Sequence, residues 1–141
     1  MPHLTVEYSK KLEASVDIDA MLQVLHEAAA NIEALPVGGL RSRAVAREHY
    51  RIADGHPDNT FINLLLRLAP TRPFDVRKEI GETLFQVLCD YLESTYASTP
   101  LAISFEIQEM GAELRWMKNN LPDYMAKRTG EKWIAGLTAA K

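Results

Sequence analysis

The chain has 141 residues and a mass of 15.9 kDa, with 47% hydrophobic and 25% charged residues and a net charge of -3. That is enough for one globular domain with its own core, and too acidic for a general nucleic-acid binder, whose footprint is basic. One cysteine, Cys89, and four scattered histidines, His3, His26, His49 and His56, exclude an internal disulfide and lack metal-ligand spacing. The chain begins with an alternating run rather than a basic stretch leading into an apolar one, so no signal peptide is expected. No apolar run approaches the ~20 residues of a membrane helix. The expected setting is therefore the cytoplasm, without nucleic acid or membrane as partner.

In chain order, Leu4, Val6 and Tyr8 alternate with Thr5, Glu7 and Ser9, a strand pattern of period two. Ile18, Met21, Leu22, Leu25, Ala29 and Ile32 then recur at three- and four-residue steps, with Asp17 placed as a helix N-cap. Pro36, Gly38 and Gly39 in "LPVGGL" end that helix. "RSRAVAR" reads as a second strand, followed by the turn signal "DGHPD". Phe61–Ala69 is an almost continuous apolar run, as in a strand covered on both faces. Pro73 opens the longest helix, with a stripe of Val76, Ile80, Leu84, Val87, Leu88 and Tyr91. "LAISFEI" is a strand with Leu101, Ile103, Phe105 and Ile107 on one side.

This order is a duplicated βαβ unit, placed at 1–56 and 57–110 of a single domain, with a tail at 111–141. The fold class is α+β: a four-stranded mixed sheet with both helices on one face. The tail has weak periodicity and two large apolar groups, Trp116 and Trp133, suited to packing on a neighbouring subunit. Leu64, Leu66 and one side of "LAISFEI" are expected on the sheet face away from the helices. That apolar patch calls for a partner, and a homotrimer would cover it.

No Gly-rich phosphate loop, nucleophile elbow or zinc-protease motif is present. Cys89 sits mid-helix, where an inert thiol is the plainer reading. Glu106 and Glu109 fit a solvated strand face. Pro2 has two readings. It starts an edge strand, or methionine excision turns it into an N-terminal secondary amine. Burial or nearby cations would lower the pKa of such an amine and leave a neutral base near pH 7. Arg41, Arg43 and Arg47 fall on one strand face, and Arg72 precedes the second helix. They are either solvated surface arginines or groups that clamp a small polyanion.

"MPH" with "VEYS", "GLRSR", "ADG", "TR" at Arg72, "GETLF", "LAISFEI" and "KNN" occur in one order over roughly the first 120 residues. With that ordered set the chain resembles the 5-carboxymethyl-2-hydroxymuconate isomerases, long members of the tautomerase superfamily. The resemblance implies a tautomerase-like trimer, a catalytic Pro2, and Arg41 and Arg72 holding and polarising substrate carboxylates. It implies a cofactor- and metal-free reaction on a di- or tricarboxylate, from a 2-hydroxymuconate dienol to its 2-oxo-ene isomer, in aromatic catabolism through homoprotocatechuate. Two other functions fit the residues: a related tautomerase reaction on another 2-keto acid, and a non-enzymatic trimeric binding module. The second half carries Ile62, not proline, where the repeat's first residue is expected, so no second base is implied.

Overall fold

The structure is a computed structural model that describes residues 1–128 and 133–134. β1 (His3–Ser9) buries Leu4, Val6 and Tyr8 on one side, as its alternation dictates. A 3₁₀ turn, Lys10–Ala14, tucks Leu12 under the sheet and leads to α1 (Ile18–Ala30). The Asp17 carboxylate accepts a hydrogen bond from the Ala20 amide at 3.0 Å, satisfying an amide that the first helical turn would leave unpaired. A second 3₁₀ turn, Val37–Gly39, reverses the chain into β2 (Arg41–Arg47), parallel to β1. β3 (Thr60–Leu68) runs antiparallel to β1, and α2 (Phe74–Tyr91) with the short α3 (Glu93–Ser98) returns the chain to β4 (Leu101–Glu109), parallel to β3.

The sheet order is β2-β1-β3-β4, the duplicated βαβ arrangement expected from the sequence. Met21, Leu25 and Ala29 of α1 and Ile80, Leu84 and Leu88 of α2 pack against one face of it. Gly81 lets α2 sit close to β4: a Cβ there would lie 3.3 Å from Ile107 Cδ1. The tail adds an element that the weak periodicity did not foretell, α4 (Leu121–Lys127), which rests on the Val37–Gly39 turn.

Two expectations are corrected. Leu64 and Leu66 are fully buried and face the helices, not the open side. The run from Phe61 is covered by helices on one face only within the protomer; Leu65 is half-buried on the other, and Phe61 meets the Tyr50 ring edge-on at 6.3 Å. The open face is therefore largely polar. It carries an Arg47–Glu7 ion pair at 2.7 Å and a Ser104–Asn63 hydrogen bond at 2.7 Å. His3 with Arg41 and Phe61 with Ala102 are cross-strand pairs on the open face. Trp133 is exposed, Trp116 is 86% exposed, and residues 129–132 and 135–141 of the tail lie outside the described residues.

The face assignment makes an unequal pair of substitutions. Leu64→Ala should cost about 2–5 kcal/mol in urea unfolding, as for a fully buried leucine, whereas Val45→Ala on the open face should cost less than ~1 kcal/mol. The reverse ranking would mean that the faces are exchanged.

Candidate active site at the amino terminus

Parallel pairing places the starts of β1 and β2 side by side, and antiparallel pairing brings the end of β3 to the same edge. Pro2, Arg41 and the turn after β3 that carries Arg72 therefore meet. The Arg41 amide donates to the Pro2 carbonyl at 3.0 Å, and Pro2 is buried. Pro2 and Arg72 line one cavity of about 410 Å³, together with Gly38, Gly39, Met117 and Asn119. Of the residues singled out by sequence, Pro2 and Arg72 share this cavity and Arg41 stands beside it through Met1. Arg43 and Arg47 continue along the open face, with Arg47 paired to Glu7 and Arg43 lying 3.1 Å from His3 Nδ1.

Both site arginines are held by the backbone. Arg41 Nη1 donates to the Gly39 carbonyl at 2.8 Å and to Met1 Sδ at 3.1 Å. Arg72 Nε donates to the Ala34 carbonyl at 2.7 Å, which ties the turn before α2 to the end of α1. These contacts fix each guanidinium without neutralising it. Among the described residues neither arginine forms an ion pair with a carboxylate.

The tail closes the cavity. The Met110 amide donates to the Leu68 carbonyl at 2.7 Å, and Asn119 Nδ2 to the Gly38 carbonyl at 2.9 Å. α4 then lies on Gly38 so closely that a Cβ there would be 3.0 Å from Pro122 Cγ. The tail also brings in a cation that sequence reasoning missed, Arg115. Nothing in "ELRWMKNN" distinguishes it from any exposed arginine, and only the path of the tail brings it near the amino terminus.

The electrostatics follow from this crowding of cations. Burial first, then the charges of Arg115, Arg72 and Arg41, hold the Met1 ammonium below the ordinary α-amino value. His3 is lowered by burial and by Arg43, Arg41, the chain amine and Arg67, so its neutral imidazole accepts from Arg43. The other histidines stand elsewhere: His26 Nδ1 is 2.7 Å from Ser42 Oγ, and His56 forms part of the turn before β3. Burial pushes the Cys89 thiol up, away from a reactive thiolate. A larger groove, about 600 Å³, lies between α2 and β4 and is lined by Phe74, Phe85 and Phe105 but not by Pro2. No group of three histidine, cysteine, aspartate or glutamate side chains among the described residues could hold a metal ion.

A model of the 5-carboxymethyl-2-hydroxymuconate isomerase family matches residues 2–125. The 5-carboxymethyl-2-hydroxymuconate Delta-isomerase of Escherichia coli is 29% identical over 121 residues, 86% of this chain and 96% of that protein. A crystal structure of a 5-carboxymethyl-2-hydroxymuconate isomerase from Deinococcus radiodurans R1 is 38% identical with a TM-score of 0.78, covering 85% of this chain and 90% of that one. Another crystal structure of a 5-carboxymethyl-2-hydroxymuconate delta-isomerase is 30% identical with a TM-score of 0.81, covering 94% and 96%. A fused 4-OT symmetric trimer shares the fold at 14% identity and a TM-score of 0.56, over 81% of this chain and 94% of that one.

With Met1 attached, the Pro2 nitrogen is an amide, and Met1 lies on Gly39 and Arg41. Excision should free the amine and release the Arg41 contact together. A small dicarboxylate should therefore bind the Met1-free chain in calorimetry at least about tenfold more tightly than the chain that keeps Met1. Equal affinity, with both forms verified by intact mass, would show that Met1 does not obstruct the arginines.

Proposed function

The chain belongs to the 5-carboxymethyl-2-hydroxymuconate isomerase family, and on that footing we propose that it converts 5-carboxymethyl-2-hydroxymuconate to its 2-oxo-ene isomer with Pro2 as the proton shuttle and Arg41 and Arg72 as the carboxylate clamps. One observation carries the assignment of roles. Pro2 is buried at the head of β1, beside a cavity with Arg72 in its wall and Arg41 at its edge, and no carboxylate among the described residues pairs with either arginine. A base needs that environment to be neutral at physiological pH, and a polyanionic substrate needs it to bind.

After Met1 is removed, the neutral Pro2 nitrogen takes the proton of the substrate's 2-hydroxyl group. The C2–O bond becomes a carbonyl, the diene electrons shift to a C3–C4 double bond, and the prolinium returns a proton to C5. Proton and charge balance with no other reactant. Arg41 and Arg72 bind carboxylates and stabilise the negative charge that develops at the C2 oxygen, a role suited to donors already fixed by Gly39 and Ala34. The same cations disfavour the prolinium, which lowers the pKa of the base.

The assembly that fits this reading is a homotrimer. Among the described residues both outer strands, β2 and β4, lack a neighbour on one side within the protomer. The apolar groove between α2 and β4 and the exposed Phe74, Tyr96 and Trp116 add surface suited to another subunit. The cytoplasm is the setting that goes with a small catabolic isomerase, and no described helix is long and apolar enough to cross a membrane.

The base acts unprotonated, so kcat/KM should rise with pH through the Pro2 pKa and level off above it. Arg72→Ala removes a cation, so the rising limb should move to higher pH while the plateau falls ten- to a hundredfold, the loss of one charge-assisted contact worth ~1.5–3 kcal/mol. A limb that moves to lower pH, or Pro2→Ala with wild-type rate and profile, would contradict these roles. Light scattering at micromolar concentration should give a mass near three 15.9 kDa chains; a stable, active monomer would contradict the assembly.

A further inference from the structure

We propose that Asn119 is a positioning residue of this site: its side chain latches α4 across the Pro2 cavity as an apolar roof that keeps water from the Pro2 nitrogen. The inference rests on the proton-shuttle reading above and goes beyond it by naming the group that closes the cavity.

The cavity wall has two sources. Pro2, Gly38 and Arg72 belong to the two βαβ units, whereas Met117, Asn119, Pro122, Met125 and Ala126 come from the tail and, Asn119 apart, are apolar. From Gly111 to Arg128 every residue is exposed except Asn119 and Met125, so over this stretch the chain turns inward at those two side chains. Asn119 uses both ends of its amide. Nδ2 donates to the Gly38 carbonyl at 2.9 Å, and Oδ1 accepts from the amide of Leu121, the first residue of α4, at 3.0 Å. One side chain thus holds the start of α4 and ties it to the Val37–Gly39 turn. The turn is shaped to receive it. A Cβ on Gly38 would lie 3.0 Å from Pro122 Cγ and 3.7 Å from Met125 Sδ. The φ of Gly38 is not positive, so the backbone does not demand glycine there; the close approach of α4 does.

The roof brings no charge into the cavity. Among the described residues Arg72 is the one charged side chain in the wall, and Asp123 and Lys127 of α4 are exposed and stand outside it. The roof therefore acts on Pro2 through solvent. A protonated amine loses more than a neutral one when water is removed, so a closed roof favours the neutral base. The adjacent Met1 amine agrees with this: burial influences it most, ahead of the charges of Arg115 in the tail, Arg72 in the turn after β3 and Arg41 at the start of β2. His3, next in the chain, lies on the open face of the sheet beside Arg43. Without the latch, α4 would leave Gly38, and water would reach Pro2 from the side of the tail.

The test titrates the Pro2 nitrogen by 15N chemical shift in Met1-free protein and follows amide hydrogen exchange across α4. Asn119→Ala removes the latch, while Gly38→Ala keeps Asn119 and pushes Pro122 away. Each should speed exchange over Leu121–Lys127 and raise the Pro2 pKa, so that kcat/KM measured below that pKa falls about tenfold. The double variant should do little more than either single change, because both open the same roof. The rise should persist in an Arg115→Ala background, which removes the tail's own cation as its cause. Neither residue belongs to the helix-packed core, so the urea midpoint should stay close to that of the wild type. An unmoved pKa, with or without a loss of stability, would make Asn119 merely structural and overturn the proposal. So would an α4 that stays protected in both variants, or a rise that vanishes with Arg115→Ala. The titration needs no substrate, which separates the two readings. Turnover of a 2-hydroxydienoate with an unresponsive pKa overturns the roof alone, and a responsive pKa without turnover overturns the isomerase reading alone.

Discussion

The antiparallel ladder between β1 and β3 is the constraint on which the amino-terminal site depends. It sets His3 opposite Arg67, so the first residues of the chain meet the last residues of β3. The parallel crossover through α1 then returns β2 with Arg41 against the Pro2 carbonyl. A one-residue slip in either register would turn Leu4, Val6 and Tyr8 away from the helices, and their complete or nearly complete burial makes that slip costly. The core that holds the two βαβ units together thus also fixes where Pro2 lies.

Charge segregation is the second consequence. A chain with a net charge of -3 gathers Arg41, Arg72 and Arg115 about its amino terminus, and adds Arg43 and Arg67 near His3. Elsewhere several of its cations are paired, as in Arg47 with Glu7, Lys11 with Asp58 and Arg77 with Glu109. Backbone carbonyls hold Arg41 and Arg72 in place without cancelling their charge. The result is a preorganised positive field at one buried end of the sheet, which favours an anionic ligand and a neutral amine together.

How much of this the sequence disclosed depended on whether a pattern had one solution. "LTVEYS" and "LAISFEI" alternate cleanly, and both strands are where period two puts them. Asp17 before Ile18 located the first helix start because a side-chain acceptor is needed there. The run from Phe61 to Leu68 has apolar residues on both parities, so periodicity could not choose a face, and Leu64 and Leu66 were assigned to the wrong one. Pro2, Arg41 and Arg72 stood out through an ordered set of short motifs, while their residue types alone fitted ordinary surface roles. Arg115 and α4 left no local signal. Their positions come from long-range contacts of the tail at Leu68 and Gly38.

The central claim is that this end of the sheet makes the Pro2 amine a neutral base. Its most direct test is a titration of the Pro2 nitrogen itself, by 15N chemical shift in proline-labelled, Met1-free protein, against a free peptide beginning Pro-His-Leu. The account predicts a pKa in the folded protein below that of the peptide, with Arg72→Ala moving it back toward the peptide. A folded-state value at or above that of the peptide would contradict the account.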